Sequence, residues 1–159
     1  MSVVLLRVDE RLVHGQVTVG WGMRLRPARY VVVDDDLAEA QWEQDLFRLG
    51  VPAESEVEFI AVEEARSRFQ DWDGAPSSTV LLTRDLDHML RLARGGVLEG
   101  REVNLGGIHH APGRDRVLPY LFLSTEDRDR IRDLLAEGVR VEARDLPDAP
   151  RTRAGNLLS

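Results

Sequence analysis

The sequence predicts an α/β protein built on one doubly wound, mostly parallel sheet with helices on both faces. Short apolar runs rich in valine and leucine alternate along the chain with amphipathic segments. Parallel strands that are covered on both faces have this nearly continuous apolar character, and helices usually connect them. The chain has 159 residues and no cysteine, so we expect one domain without disulfides or thiolate-bound metals.

The individual elements follow from local patterns. Apolar runs predict five strands, at residues 3–6, 30–33, 57–60, 80–82 and 103–105. Helical spacing of apolar residues predicts helices over residues 37–49, 62–69 and 86–93. Asp36 is placed to cap the first of these helices, and Gly95 and Gly96 end the last one.

The last third of the chain has a different composition. Residues 106–119 are rich in glycine, proline and histidine, which is typical of a long surface loop, and residues 120–123 predict a short strand. Residues 124–127 predict a capping box that opens a helix, and residues 139–142 alternate like a half-exposed edge strand. We therefore expect a domain over residues 1–147 and a flexible tail over residues 148–159.

Composition also narrows the class of function. The formal net charge of −7 argues against a protein that binds nucleic acid or anionic membranes through a basic surface. The first apolar run is too short for a signal peptide, and no run approaches the roughly 20 residues of a membrane span. A cytoplasmic location is the expectation.

One stretch concentrates reactive side chains directly after the first predicted strand. It is residues 7–21, RVDERLVHGQVTVGW, and it carries a single histidine, His14, before Gly15 and Gln16 open a predicted helix. Ligands of such sheets collect outside the carboxyl ends of the strands. Arg84 and the pair Gly106 and Gly107 follow other predicted strands, so we expect them at the same edge.

The residue types around His14 fit phosphoryl transfer. A neutral imidazole is nucleophilic near neutral pH and can pass on the group it accepts. Arg11 can pair with phosphoryl oxygens, and backbone N–H groups of Gly15 and Gln16 at a helix start favour an anion. Asp9 is placed to hold the second ring nitrogen of His14 and so to fix its tautomer. A capping or packing role for the histidine is the alternative interpretation.

Other side chains have competing interpretations. His109 and His110 together with His14 suggest a zinc site, but no carboxylate flanks them at a ligand spacing and loop residues lining the site are favoured. The carboxylates of residues 34–36 suggest magnesium, although capping of the following helix is favoured. Arg24, Arg26 and Arg29 either meet an acidic partner or form a solvated face. Trp21 is expected to anchor the helix after His14.

The stretch around His14 resembles the active-site segment of the IIB components of the mannose, fructose and sorbose family of the bacterial sugar phosphotransferase system. The similarity extends over residues 3–147. It includes VVVDDDLAEAQ after the second strand, LLTRDLDHMLRLARGGV around the fourth, VNLGGIHHAPGR in the loop and LSTEDRDRIRDLLAEGVRVEARDLP near the end.

This resemblance implies a function and a site. It implies a sheet of about seven strands, an edge strand near the C-terminus, and a relay that needs no metal or cofactor. His14 would take a phosphoryl group on the ring nitrogen nearer the backbone from a phosphohistidine of a IIA partner. It would donate the group to a sugar bound by membrane IIC and IID partners. Asp9 would orient the imidazole, and Arg11, Gly15 and Gln16 would receive the phosphoryl group. Arg84, Gly106 and Gly107 are expected as further phosphoryl contacts.

The chain departs from the family pattern in places. Glu10 stands where the family usually has aspartate, and residues 117–123 differ from the usual run. The alternative function is regulatory, in which the same phosphorylation controls a binding event without sugar transport. A homodimer is also possible through the edge strand or the apolar pair Leu157 and Leu158.

Overall fold

Strand β1 (Val3–Val8) lies at the centre of a seven-stranded sheet. The strand order is β3 (Glu56–Ile60), β2 (Arg29–Val33), β4 (Thr79–Thr83), β1, β5 (Glu102–Leu105), β8 (Arg140–Ala143) and β9 (Thr152–Arg153). The structure is a computed structural model and describes residues 1–15 and 17–159. Pairing is parallel between all neighbours except β8 and β9, which are antiparallel. The predicted mostly parallel sheet, its number of about seven strands and an edge strand near the C-terminus are confirmed.

The bounds of the elements are as follows. The strands are β1 (Val3–Val8), β2 (Arg29–Val33), β3 (Glu56–Ile60), β4 (Thr79–Thr83), β5 (Glu102–Leu105), β6 (Asp115–Leu118), β7 (Leu121–Leu123), β8 (Arg140–Ala143) and β9 (Thr152–Arg153). The α-helices are α1 (Gly22–Leu25), α2 (Gln41–Arg48), α3 (Val62–Asp73), α4 (Leu86–Ala93), α5 (Thr125–Ala136) and α6 (Ala154–Leu157). A π-helix (Val17–Trp21) and two 3-10 turns (Leu37–Glu39, Arg94–Gly96) complete them. No helix of the described residues has both the length and the apolar character that crossing a bilayer requires.

Apolar side chains on the two faces of the sheet form two separate cores. Along β2, Val31 and Val33 belong to the larger core, whereas Tyr30 and Val32 belong to the smaller one. This alternation follows from the two-residue period of a strand. Helices α3, α4 and α5 contribute to the larger core, and the segment that includes Val17 packs in the smaller one. The helix after His14 therefore lies on the smaller-core face.

The predicted helix over residues 37–49 is divided into a 3-10 turn and α2. The predicted cap is also different, because the Asp36 side chain makes no capping bond. Instead, the Asp34 carboxylate accepts from the N–H of Leu37 at 2.9 Å. The Asp35 carboxylate accepts from the N–H of Val62 at 2.9 Å and so caps α3. Asp34 thus serves the start of the following helical segment, as the favoured interpretation of this run predicts, whereas Asp35 serves α3 and Asp36 makes no capping bond.

The end of the predicted loop over residues 106–119 forms strand β6, which makes a β-hairpin with β7, where residues 120–123 predict a short strand. Strand β6 pairs with β7 in antiparallel register, separate from the main sheet. Leu121 and Leu123 are fully buried, whereas Asp115 and Arg116 are exposed. The strand β6 was missed because only its last two residues are apolar. The capping box at the start of α5 is confirmed, with Ser124 and Asp127 bonded reciprocally.

The C-terminal residues form ordered elements in the structure. Strand β9 pairs with β8 through Thr152 and Arg153, so β9 rather than β8 is the edge of the sheet. Helix α6 places Leu157 at 0% exposure in the larger core. This arrangement differs from the flexible tail that the sequence indicates, because burial of a leucine side chain stabilises the segment by about 2 kcal/mol.

Candidate functional site

His14 lies at the tip of the loop that leaves the central strand β1. Its side chain is exposed. It borders a cleft of about 240 Å³ that is also lined by Trp42, Glu43, Leu46 and Phe47 of α2. Another molecule can therefore reach the imidazole, as a group-transfer role requires. We call His14 and Gly15 the tip of the loop.

The backbone around the tip is fixed by its neighbours. Leu12 and Val13 are fully buried and belong to the smaller core. The His14 carbonyl accepts from the N–H of Val17 at 3.2 Å, and the Gly15 carbonyl accepts from the N–H of Val19 at 3.0 Å. Gly15 has φ +53°, which glycine adopts without the steric penalty of a side chain. The tip thus projects between two anchored segments.

A buried carboxylate holds the base of the same loop. Asp9 is 0% exposed, and one of its oxygens lies 3.0 Å from Nη2 of Arg7 and 2.7 Å from Nη2 of Arg11. Its other oxygen accepts from the backbone N–H of Arg11 at 3.0 Å. Burial acts to raise the pKa of Asp9, but the bonds and charges of Arg11 and Arg7 outweigh burial and lower this pKa. Asp9 therefore stays ionised. We call Arg7, Asp9 and Arg11 the base.

Arg7 connects the base to a distant part of the chain. Its guanidinium is fully buried and donates to the carbonyls of Arg144 at 2.8 Å and Asp145 at 2.9 Å, and to the side chain of Asn104. Trp21 packs over it with 4.9 Å between the ring centroid and Cζ, and the indole N–H donates to the Asp145 carbonyl at 2.9 Å. The predicted anchoring role of Trp21 is consistent with these contacts.

Arg11 is oriented by two carboxylates. Its Nε and Nη2 donate to Asp9 at 2.9 and 2.7 Å, and Nη2 lies 3.3 Å from Asp145. The hydrogen bond to Asp9 is the main cause of a raised pKa for Arg11. Its side chain is 22% exposed, so this fixed positive charge reaches the surface of the loop.

Gly106 and Gly107 make room for the base. A Cβ at Gly106 would lie 2.2 Å from Nη2 of Arg7 and 2.4 Å from the Asp9 carboxylate. A Cβ at Gly107 would lie 3.2 Å from Nε of Arg11. The N–H of Gly106 donates to the Val8 carbonyl at 2.8 Å, so this N–H is used by the sheet rather than offered to a phosphoryl group. Gly106 therefore contributes space to the site.

Glu10 ties the loop after β5 to the loop after β1. Its carboxylate accepts from the backbone N–H of His109 at 2.9 Å and from Arg114 at 3.0 Å. This carboxylate therefore bridges the two loops. The side chains of His109 and His110 are exposed, and His110 packs edge-on against Phe122. Among the described residues, the group that approaches metal-ligand spacing is Asp85, Asp87 and His88 rather than the loop histidines.

Arg84 contacts Glu43, a residue that lines the cleft of His14. Its Nη2 is 3.9 Å from the carboxylate of Glu43, which lines that cleft, and its Nε is 3.6 Å from Asp34. Arg24 and Arg29 are engaged within the chain, with Arg24 at 2.7 Å from Asp148 and Arg29 at 3.9 Å from Glu56. These ion pairs belong to the protein's own surface.

The structure thus divides the predicted site residues into two groups. Asp9, Arg11, Gly106 and Gly107 are in mutual contact. His14 faces the cleft on α2, and within residues 1–15 and 17–159 no hydrogen bond joins it to Asp9. Asp9 therefore orients Arg11 rather than the ring of His14. Gln16 lies outside the described residues.

Sequence reasoning missed several contributors. They are Arg7, Asn104 and Asp145 at the base, and Trp42 and Glu43 at the cleft. A signal existed for Arg7, because a charged residue within the otherwise apolar run of β1 requires a buried partner. Asp145 gave no such signal, since its contact with Arg11 spans 134 residues.

Known proteins share this sequence pattern and this fold. The family model of the PTS system sorbose subfamily IIB component matches residues 3–159. The N-acetylgalactosamine-specific phosphotransferase enzyme IIB component 1 of Escherichia coli is 29% identical over 150 residues, covering 92% of each chain. The mannose-specific EIIAB component of Escherichia coli is 26% identical over the whole of this chain, which spans 49% of that protein.

A solved structure agrees over nearly the whole length. The IIB domain of the sorbose permease from Klebsiella pneumoniae superposes with a TM-score of 0.87 at 25% sequence identity. The match covers 99% of this chain and 96% of that domain. The fold, including the C-terminal β9 and α6, is thus one that these proteins share.

Proposed function

Since this chain belongs to the sorbose subfamily of PTS IIB components, we propose that His14 carries a phosphoryl group between two partners. The donor is a phosphohistidine of a IIA protein or domain, and the acceptor is a sugar bound by the IIC and IID permease. The chain acts in the cytoplasm and reaches the inner membrane through that permease.

One observation supports the proposal above all others. An exposed histidine stands at the tip of a loop whose base is buried and multiply bonded. A histidine with a packing role would be covered by its neighbours, whereas His14 shares an open cleft with α2. Phosphoryl transfer depends mainly on positioning and on neutralising charge, and this arrangement offers both through the fixed tip and Arg11.

The chemistry places defined requirements on the ring. The lone pair of Nδ1 attacks phosphorus while the P–N bond to the donor histidine breaks, and the donor ring takes back the bonding electron pair. The donor ring is protonated on its other nitrogen and leaves as neutral imidazole, and the positive charge passes to the newly phosphorylated ring of His14. The other nitrogen of His14 keeps the proton, so the neutral ring is the competent acceptor. Arg11 neutralises charge on the transferred oxygens.

The relatives inform the choice of partners. The mannose-specific EIIAB component contains, by its name, a IIA portion together with a IIB portion, and this chain corresponds to about half of it. We infer that the donor for this chain is a IIA protein of the same kind. Solved IIB structures named for sorbose and for N-acetylgalactosamine share this fold, so we assign the choice of sugar to the permease.

A phosphorylation assay tests the proposal. Wild-type protein incubated with phosphoenolpyruvate, the general phosphotransferase proteins and a IIA protein should gain one acid-labile phosphate. The His14→Ala variant should gain none. His110→Ala removes another exposed imidazole and should be phosphorylated like the wild type. Phosphate uptake by His14→Ala would overturn the assignment.

A further inference from the structure

Helix α2 turns an apolar face to solvent beside His14. Trp42, Leu46 and Leu49 are 68%, 56% and 84% exposed. They are spaced at i, i+4 and i+7, so they lie along one side of the helix. We call these three residues the α2 face. Large apolar side chains clustered on the surface of a charged protein commonly mark a binding site.

The α2 face is continuous with the reactive cleft. Trp42 and Leu46 line the same cleft as His14, together with Glu43 and Phe47. The helix is also held against the loop of His14, because a Cβ at Gly50 would lie 2.4 Å from the Val13 carbonyl. A protein that brings a phosphohistidine into line with His14 must therefore cover Trp42 and Leu46.

The charges around the α2 face discriminate among occupants. Asp36, Glu39, Glu43 and Asp45 lie on or just before α2, against the two cations Arg48 and Arg84. This rim is acidic. It would repel the anionic lipids around a membrane permease and would also repel the same rim of a second copy. A soluble donor protein meets neither of these repulsions, which favours it as the occupant of the α2 face.

We propose that the α2 face is the docking surface for the phosphohistidine-bearing donor protein, with Trp42 as its central anchor. This inference rests on the proposed function. Trp42 supplies a large apolar area that stays exposed in the free protein, and tryptophan is enriched among the residues that dominate interface energies. The acidic rim disfavours the membrane and a second copy as occupants of this face.

Transfer kinetics with two different donors test the proposal. One donor is the phosphorylated IIA protein used above, and the other is phosphoramidate, which is small and needs no docking surface. We compare the second-order rate constant with the IIA protein divided by that with phosphoramidate. We expect Trp42→Ala and Leu46→Ala to lower this ratio, by about tenfold for Trp42→Ala. Because both side chains are exposed, their unfolding midpoints should match the wild type.

The matched control is Leu135→Ala, which removes an exposed leucine of α5, a helix that packs in the larger core. Its ratio should equal that of the wild type.

An unchanged ratio for Trp42→Ala, with normal transfer from the IIA protein, overturns the docking surface and leaves the proposed function intact. A wild type that takes no phosphate from the IIA protein overturns the proposed function itself. Slower sugar phosphorylation without slower transfer from IIA would assign the α2 face to the permease, and a concentration-dependent dimer lost in Trp42→Ala would assign it to a second copy.

Discussion

Asp9 in the base and His14 at the tip of the loop after β1 are five residues apart in sequence and differ in solvent exposure. Asp9 is fully buried and bonded to two arginines, whereas His14 is exposed beside an open cleft. Burial and ion pairing at the base restrict the loop, and exposure at the tip keeps the imidazole accessible. A relay needs both properties, because its reactive group must be reached by partners and must still stand at a defined position.

Breaking the base should have the largest effect. Arg7→Met leaves the ionised Asp9 with one fewer partner in a buried environment, and we expect a loss of about 3 to 5 kcal/mol in the free energy of unfolding. Denaturant unfolding followed by circular dichroism measures this loss. Arg24→Met removes an exposed ion pair and serves as the control, with a loss below about 1 kcal/mol. Equal losses in the two variants would contradict the structural role of the base.

Alanine substitutions at Gly106 and Gly107, which pack against the base, should lower stability by different amounts. Gly106→Ala places a methyl group within 2.4 Å of both Arg7 and Asp9, so we expect a loss of about 3 kcal/mol. Gly107→Ala meets its nearest atom at 3.2 Å and should lose about 1 kcal/mol, because only the half-exposed Arg11 has to move. Thermal unfolding of both variants gives the order. The reverse order would show that the base is packed differently.

Changing the tip should affect stability less than changing the base. A Cβ at Gly15 meets no atom within 4 Å, so the cost of Gly15→Ala comes only from φ +53° and amounts to about 1 kcal/mol. Relief of that strain would shift the tip, so phosphate uptake by His14 should slow more than stability falls. Parallel measurements of unfolding and of phosphorylation rate test this prediction, and unchanged kinetics would show that the tip needs no defined backbone.

The hydrogen-bonded pair of His88 and Asp85 differs from the base in how its contribution to stability depends on pH. His88 Nδ1 lies 2.7 Å from Asp85, and this hydrogen bond is the main cause of its raised pKa, with charge from Asp34 and Asp35 adding to it. Its stabilising contribution is complete below pH 6.5 and is lost as the pH rises through the raised pKa. The lowered pKa of Asp9 acts oppositely, because its contribution is complete above pH 3.8 and is lost as the pH falls.

The variant His88→Gln separates the contribution of His88 to stability from that of Asp9. In His88→Gln, the decline in unfolding free energy above pH 6.5 should be smaller by less than about 1 kcal/mol. In the acid limb, the part that comes from Asp85 should also shrink, because His88 helps to lower the pKa of that carboxyl, whereas the part that comes from Asp9 should remain. Denaturant unfolding between pH 3 and pH 9 measures both limbs. The same decline in wild type and variant would show that another group titrates there.

Local patterns in the sequence account for most of the fold. Apolar runs identify β1 to β5, and helical spacing identifies α2, α3 and α4, because a strand or helix that buries one face requires these periods. The capping box at Ser124 is likewise contained in four residues. Helix α6 has no such pattern, and its burial depends on contact between Leu157 and residues of the larger core.

The candidate site divides in the same way. His14 and Arg11 belong to one local motif, so the sequence identifies them together. Asp145 and Trp42 lie far away in sequence and come to the loop only through the fold, which sequence spacing does not reveal. The predicted contact between Asp9 and His14 assumed that neighbours in the motif touch, whereas the buried Arg7 and Arg11 occupy the carboxylate.

The position of the phosphate tests the central claim most directly. After phosphorylation by a IIA protein, phosphorus–proton correlation spectra combined with peptide mapping under alkaline conditions locate the modified nitrogen. We predict phosphate on Nδ1 of His14 and on no other residue. Phosphate on His88, His109 or His110 in the wild-type protein would contradict it.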